Sequence, residues 1–396
     1  MSEITEDILS ECRTFFKETG RHFANYFLRY AVDHRNDGSR IEAEYANLLT
    51  AARYCRDTDN YSDLLVLREV LQPHLDLHGH WNASLMLNEW AIAAAQMCGD
   101  RISVVRFTHD RADILHQCGE YRQAEQLYRS SEEAYLVLGE NGMALRSRHM
   151  CALVVRAQGR LGEAAQLCDT TIADAQRLGL NHWLPHPLYV QALLARDRGD
   201  IRRARQCIEE SLSHLAGSDE LVMIGQCRHF LGELALRQGR FDEARSQLKK
   251  SLELSQQVGI LRRVVATQRL LGDLARDEGQ YDEADNLYHG AFGTAIRLGD
   301  QPQMARLLLS QARLAVIQER RQEAIDMLRS ARITYQRIGD PRGVVMTSLL
   351  LARWYLKQGQ FGRAVLVGAT ALKTVRLTSL LQPRTLLGAI RQRGDW

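Results

Sequence analysis

The chain has 396 residues, 45% hydrophobic, 25% charged and 7% aromatic, with only 6 Pro and 28 Gly. This composition excludes disorder and collagen, and its wealth of Ala, Leu, Arg, Glu and Gln favours helix over the β-branched, turn-rich make-up of a sandwich or barrel. Basic residues number 51 against 48 acidic ones, a net charge of +3 that is too weak for a nucleic-acid footprint.

From Met1 to Gly20 the sequence is acidic and polar, without a basic n-region or an apolar h-region, and no later stretch approaches 18 uncharged apolar residues. Neither export nor membrane insertion is expected. The cysteines at 12, 55, 98, 118, 151, 168, 207 and 227 form no C-x-x-C pair and sit mainly among apolar helical residues, the pattern of reduced thiols in a cytoplasmic protein. Only five of the basic residues are lysines. The arginine excess reads as GC-rich coding, although Arg is also the better side chain for forked carboxylate recognition.

His74, Asp76, His78 and His80 spell H-x-D-x-H-x-H, and His74 with His78 at i, i+4 has the spacing of a zinc pair on one helix face. A solvated helix end, where His complements the C-terminal dipole beside Gly79, accounts for the same residues, and no metal or cofactor is assigned. His182 and His186 repeat the spacing, but Pro185 and Pro187 are expected to disrupt a regular helix there. No G-x-S-x-G elbow or P-loop is present, and no catalysis is expected.

Internal repetition decides the fold. Glycine recurs every 40 residues at 79, 119, 159, 199, 239, 279 and 359, skipping only Glu319, and a second set at 99, 139, 179, 259, 299 and 339 lies half a period away, with Asp219 as its exception. The chain is therefore punctuated about every 20 residues, each interval holding a helix that ends on a left-handed glycine. Ala124, Ala164, Ala204, Ala244, Ala284, Ala324 and Ala364 share one repeat position, and Ala112, Ala152, Ala192, Gly232, Gly272, Ala312 and Ala352 share another. Small residues on both members of a helix pair allow a close antiparallel crossing, so Ala244→Leu or Gly272→Leu is expected to overpack it, whereas Gln247 is expected to tolerate substitution. A third small position runs from Ser131 to Ala371, and an apolar plug at Tyr121, Leu161, Ile201, Phe241, Tyr281 and Phe361 opens each second helix, Arg321 being the exception.

In these phased positions the chain resembles the tetratricopeptide repeat (TPR) family, in a long-helix, 40-residue form that lacks the proline after the second helix. The resemblance implies an all-α, right-handed α-solenoid of TPR helical hairpins. It divides the chain into degenerate N-terminal hairpins over 1–100, seven repeats over 101–376 and a C-terminal capping segment over 377–396. Residues 20–100, with His22–Phe27, Ile41–Leu48 and Leu77–Trp81, also look like the start of the helical sensor domain of STAND regulators of the maltose-activator type, without their ATPase.

In the TPR family the first helix of each unit lines a concave groove. The resemblance therefore places His109, His149, Tyr189, His229 and Arg269 on that groove, with His116, Arg156, Arg196 and Arg276 seven residues on, followed by aliphatic residues in the last two units. It implies a ladder of cationic donors for an acidic or carboxylate-ended peptide or protein segment, although Asp113, Glu233, Asp273 and Asp277 nearby also suit neutralisation from within. If the histidines act as cations, binding strengthens between about pH 7.5 and pH 6. Arg156 and Arg196 avoid the helix-crossing positions and are expected to be dispensable for folding. The chain thus reads as a non-catalytic adaptor or regulator in a bacterial cytosol, with no nucleic-acid or membrane partner. The rival readings are a ligand-sensing domain that controls an effector on another chain and a scaffold joining two proteins.

Overall fold

The computed structural model describes residues 2–378. These are 85% helical, with no strand. The expected capping segment falls almost wholly on 379–396, outside the described residues. Packing divides the described residues into two compact units, 2–114 and 115–378.

The first unit contains helices α1 (Ser2–Asp33), α2 (Gly38–Ala43), α3 (Tyr45–Asp57), α4 (Tyr61–His78) and α5 (Trp81–Met97), and it ends within α6 (Arg101–Cys118). Its core joins Phe27 and Ala31 of α1 to Leu48 and Ala52 of α3 and to Leu64, Leu67, Leu71 and Leu75 along α4. The Tyr54 hydroxyl donates to the Lys17 carbonyl at 2.8 Å, tying α3 to α1. No strict 40-residue pattern governs this part.

The second unit is an α-solenoid. Its helices are α7 (Tyr121–Val137), α8 (Asn141–Ala157), α9 (Leu161–Arg177), α10 (Pro185–Asp197), α11 (Ile201–His214), α12 (Leu221–Arg237) and α13 (Phe241–Gln257). They continue as α14 (Leu261–Asp277), α15 (Tyr281–Arg297), α16 (Gln301–Ile317), α17 (Arg321–Arg337), α18 (Pro341–Lys357) and α19 (Phe361–Thr378). Every second helix from α7 onward begins on the plug position, Arg321 included. The turns are those the glycines require: Gly119 sits at φ 86, and the Glu120 N–H donates to the Leu115 carbonyl at 2.8 Å, closing the helix end. Where the repeat has no glycine the backbone keeps the same conformation, with Glu319 at φ 59. At the other exception the turn moves instead. Gly217 takes φ 78, α11 stops at His214, and Asp219 is not left-handed.

The small positions are where the helices cross. Ala124, Ala164, Ala204, Ala244, Ala284 and Ala324 are all fully buried. The third small position adds polar ties: Ser211 donates to the Pro185 carbonyl at 3.0 Å and Ser251 to the Gly225 carbonyl at 2.8 Å, which satisfies both buried hydroxyls. As expected at prolines 185 and 187, no regular helix joins His182 to His186: Asn181–Trp183 form a short 3₁₀ turn and Pro185 begins α10, where a missing N–H costs nothing.

From α8 to α16 the first helices also pack on one another in succession, α8 on α10, α10 on α12, α12 on α14 and α14 on α16. Among the described residues no successive pair of second helices packs comparably. The first helices therefore hold the tighter, inner radius of this unit. Its winding brings distant repeats together. A Cβ built on Gly119 would lie 2.6 Å from Cβ of Ile338. Burial together with the Asp340 carboxylate pushes the Tyr121 phenol up to about 12.

Candidate functional site

The inner face of the second unit carries most of the expected groove residues, and it is already ionically satisfied. Arg156 Nη1 on α8 donates to Asp197 Oδ2 on α10 at 2.8 Å. Arg196 Nη1 donates to Glu233 Oε2 on α12 at 2.8 Å, its Nη2 reaches Asp197 Oδ1 at 3.1 Å, and its guanidinium lies over the Phe230 ring. Arg342, at the start of α18, closes a short ion pair with Asp197, so three guanidiniums from three helices converge on one carboxylate.

Further along, Arg269 Nη1 and Arg276 Nη1 hold the two oxygens of Asp273, each at 2.8 Å. Arg276 Nη2 also reaches Asp277 Oδ1 at 2.6 Å, and the Tyr288 hydroxyl donates to Asp273 Oδ1 at 2.8 Å.

The electrostatics follow from this pairing. Burial alone would raise the Asp197 carboxyl, but Arg196, Arg156 and Arg342 outweigh it and hold Asp197 well below the usual carboxylate range. Glu233 is likewise drawn down against burial by Arg196 and Arg237. A buried charge persists only when partnered in this way. The expectation that Arg156 and Arg196 are dispensable is therefore overturned: each is mostly buried and holds a buried acid on the next helix.

The histidines behave differently from the arginines. His109 belongs to the first unit, where it is buried with Nε2 3.7 Å from Asp113 Oδ1. His116 lies near Tyr121 at the start of the second unit, at a ring separation of 6.0 Å. His149 is buried against His186, which in turn packs on Trp183, so the sequence pair His182 and His186 joins an aromatic cluster. Tyr189 meets Phe230 edge to face at 5.8 Å.

His229 is buried, its Nδ1 3.0 Å from the Thr267 hydroxyl. Burial first, and the Arg263 charge second, hold it well below its ordinary value, so it is neutral at pH 7 and cannot be the cation that the pH expectation needs. The linkage runs the other way. A folded-state pKa below the unfolded value of about 6.5 gives stability that is present above that pH and lost as pH falls through it. The melting temperature is expected to fall between pH 7.5 and pH 5.5, with His229→Gln reducing the slope. A variant with an unchanged slope would show that other groups carry it.

Asp197, Arg342 and Thr267 are the members of this site that residue spacing missed. One signal was available: Arg196-Asp197 recurs two periods later as Arg276-Asp277. Beyond the ladder the inner face turns apolar, with Leu309 buried and a shallow depression lined by Val316, Leu350, Arg353, Trp354 and Lys357. Cys151 and Cys168 are core residues whose thiols burial pushes up to about 12, which makes them poor nucleophiles. No helix among the described residues is long and apolar enough to cross a membrane.

Helical hairpins stacked at a 40-residue period, with small residues at each crossing and first helices on the inner radius, define an α-solenoid built for interaction along one face. Over part of its length the chain matches the tetratricopeptide repeat: family models of that description match residues 105–130, 183–257 and 230–288. No curated protein sequence matches the chain significantly.

Among solved structures, the Rap conjugation gene regulator of the plasmid pLS20, in complex with the Phr* peptide, aligns with TM-score 0.61 and 13% identity over 84% of this chain and 95% of that one. The apo form of the quorum sensor NprR from B. thuringiensis aligns with TM-score 0.53 and 12% identity over 91% and 99%. A STAND protein with a tetratricopeptide repeat sensor, from Pyrococcus horikoshii, aligns with TM-score 0.44 and 12% identity over 93% and 55%, which adds no weight to the sensor reading. At these identities the likenesses show the fold alone.

Proposed function

We propose that this chain is a non-catalytic regulator or adaptor of a bacterial cytosol that holds an acidic peptide or protein segment along the inner face of its second unit. The observation that carries this reading is the row of inward guanidiniums at Arg156, Arg196, Arg269 and Arg276, each on a carboxylate of the chain itself. A ligand carboxylate offers the same charge-assisted geometry and would exchange with Asp197, Glu233 or Asp273. Ligand entry would then loosen the contacts that join one inner helix to the next, which is how an interaction becomes a signal. The apolar depression beside Trp354 suits a nonpolar residue of the same segment. The Phr* peptide bound by a fold neighbour favours a peptide over a small molecule.

The test starts from affinity purification with the intact chain, with the recovered segment then measured by calorimetry. Arg269→Ala is the informative variant, because Asp273 retains Arg276 and Tyr288. Loss of one charge-assisted bond should cost about 1.5–3 kcal/mol, about ten- to a hundredfold in affinity, and binding should weaken with salt. Unchanged affinity at both low and high salt would move the contact away from the inner face.

A further inference from the structure

The first unit holds a cluster that the inner ladder does not use. Glu42 on α2, His74 on α4 and His80 at the N-cap of α5 bring their ligating atoms within 4.8 Å of one another. His74 Nε2 lies 2.6 Å from Glu42 Oε2, and His80 Nε2 lies 3.9 Å from the same oxygen. Of the described side chains in the H-x-D-x-H-x-H segment, His74 and His80 join the cluster. Gly79, left-handed at φ 72, turns the chain so that His80 folds back beside His74 instead of continuing round the helix. Asp76 faces elsewhere, accepting from Gln72 Nε2 at 2.7 Å. The carboxylate comes from a different helix, 32 residues before His74.

We propose that Glu42, His74 and His80 form a binding site for a borderline divalent transition cation, Zn²⁺ foremost. Two imidazole nitrogens and one carboxylate oxygen are the donor set of three-ligand zinc sites that leave a fourth position to water. Hard cations such as Mg²⁺ and Ca²⁺ prefer all-oxygen cages, and Cu(I) prefers sulfur. A simple His–Glu hydrogen bond accounts for His74. It does not account for a second imidazole nitrogen turned to the same oxygen, on a ring held in place by Tyr45, which stacks on His80 at 4.5 Å and 14°.

His74 is buried, whereas Glu42 and His80 are 47% and 34% exposed, so the third and fourth coordination positions are reachable from water. Tetrahedral donors about 2.0–2.2 Å from the ion stand about 3.3–3.6 Å apart, between the two distances observed, an adjustment within reach of a rotation of the half-exposed Glu42 side chain. The bound ion would staple α2 to the α4–α5 junction.

The test is calorimetric titration of Zn²⁺ into the tag-free, chelator-treated full chain, for wild type, Glu42→Gln, His80→Ala and Asp76→Asn, with a thermal melt of each with and without Zn²⁺. Wild type and Asp76→Asn should each bind one equivalent and melt higher with the ion. Glu42→Gln and His80→Ala, at partly exposed positions, should fold and lose more than about tenfold in affinity, since even outer-sphere partners of zinc ligands are worth that much. Visible absorption bands of a four-coordinate Co²⁺ complex, present in wild type and absent from His80→Ala, would support the same ligand set. No one-equivalent binding in wild type, or Zn²⁺ affinity unaffected by Glu42→Gln and His80→Ala, would overturn the proposal. Equal losses in Asp76→Asn and Glu42→Gln would overturn the ligand set.

Discussion

Arg196→Ala is expected to destabilise the second unit by about 3–5 kcal/mol, the cost of leaving a buried charge without its partner. Glu233 would keep only Arg237, and Asp197 would keep Arg156 and Arg342, so the single substitution belongs toward the lower end of that range. Removing Arg156 as well leaves Asp197 on Arg342 alone, and because the pairs share one carboxylate the two losses should be non-additive. Arg196→Met combined with Glu233→Leu removes both charges and should recover most of the loss, since a buried pair exchanged for apolar side chains is close to neutral.

The pH dependence separates this cause from lost packing. Asp197 and Glu233 are held below their ordinary values in the folded chain, so their contribution is present above the unfolded carboxylate range near pH 4 and is lost as pH falls through the folded values. The gap between wild type and Arg196→Ala should therefore narrow in acid. Urea denaturation midpoints at pH 7 and about pH 3 measure both effects. A variant midpoint equal to wild type at pH 7 would show that the inner ladder is solvated and loose.

Gly272→Leu is expected to cost about 1–3 kcal/mol, at the upper end of the range for overpacking. A Cβ at this position would stand 2.5 Å from Cε1 of Tyr288. Tyr288 is fully buried, and its hydroxyl is fixed on Asp273, so the ring cannot swing aside without breaking the Arg269–Asp273–Arg276 cluster. Gln247 is a poor comparison, because it is half-buried and accepts from Arg228 Nη1 at 3.2 Å. Ser246, exposed on the same helix, is the better one, and Ser246→Leu should change stability little. Equal denaturation midpoints for Gly272→Leu and Ser246→Leu would mean that the helix crossing is not where the small residues are.

The helices and their pairing were legible because each depends on residues close in sequence. The glycines that reverse the chain and the alanines that admit a neighbouring helix recur at one spacing, and α7, α9, α13 and α15 begin on the plug residues that spacing marks. The inward arginines and the acids Glu233, Asp273 and Asp277 able to neutralise them were legible, but the closed pairs of Arg196 and Arg156 were not. Their partners lie 37 and 41 residues away on the next inner helix, and whether such a pair closes depends on side-chain reach. The Arg342–Asp197 pair was out of range altogether, since it depends on the rotation accumulated over several repeats. Glu42 was missed for a related reason: the first unit has no strict period, so nothing in the sequence aligned α2 with the end of α4.

The contact of Gly119 with Ile338, together with the Arg342–Asp197 pair, changes what kind of repeat array this is. In an open array each unit touches only its neighbours, so whole units can be added or deleted at nearly constant cost and folding spreads from any point. Here the turn inside the first 40-residue repeat abuts the turn before the last, so the number of units between them is fixed by geometry. Excising a 40-residue unit that lies between α10 and α18 would separate both contacts at once, however well the remaining hairpins stack. Such closure also raises the mean sequence separation of contacting residues, which slows folding. This second unit should therefore evolve by substitution within its hairpins and resist the gain or loss of units that open arrays tolerate.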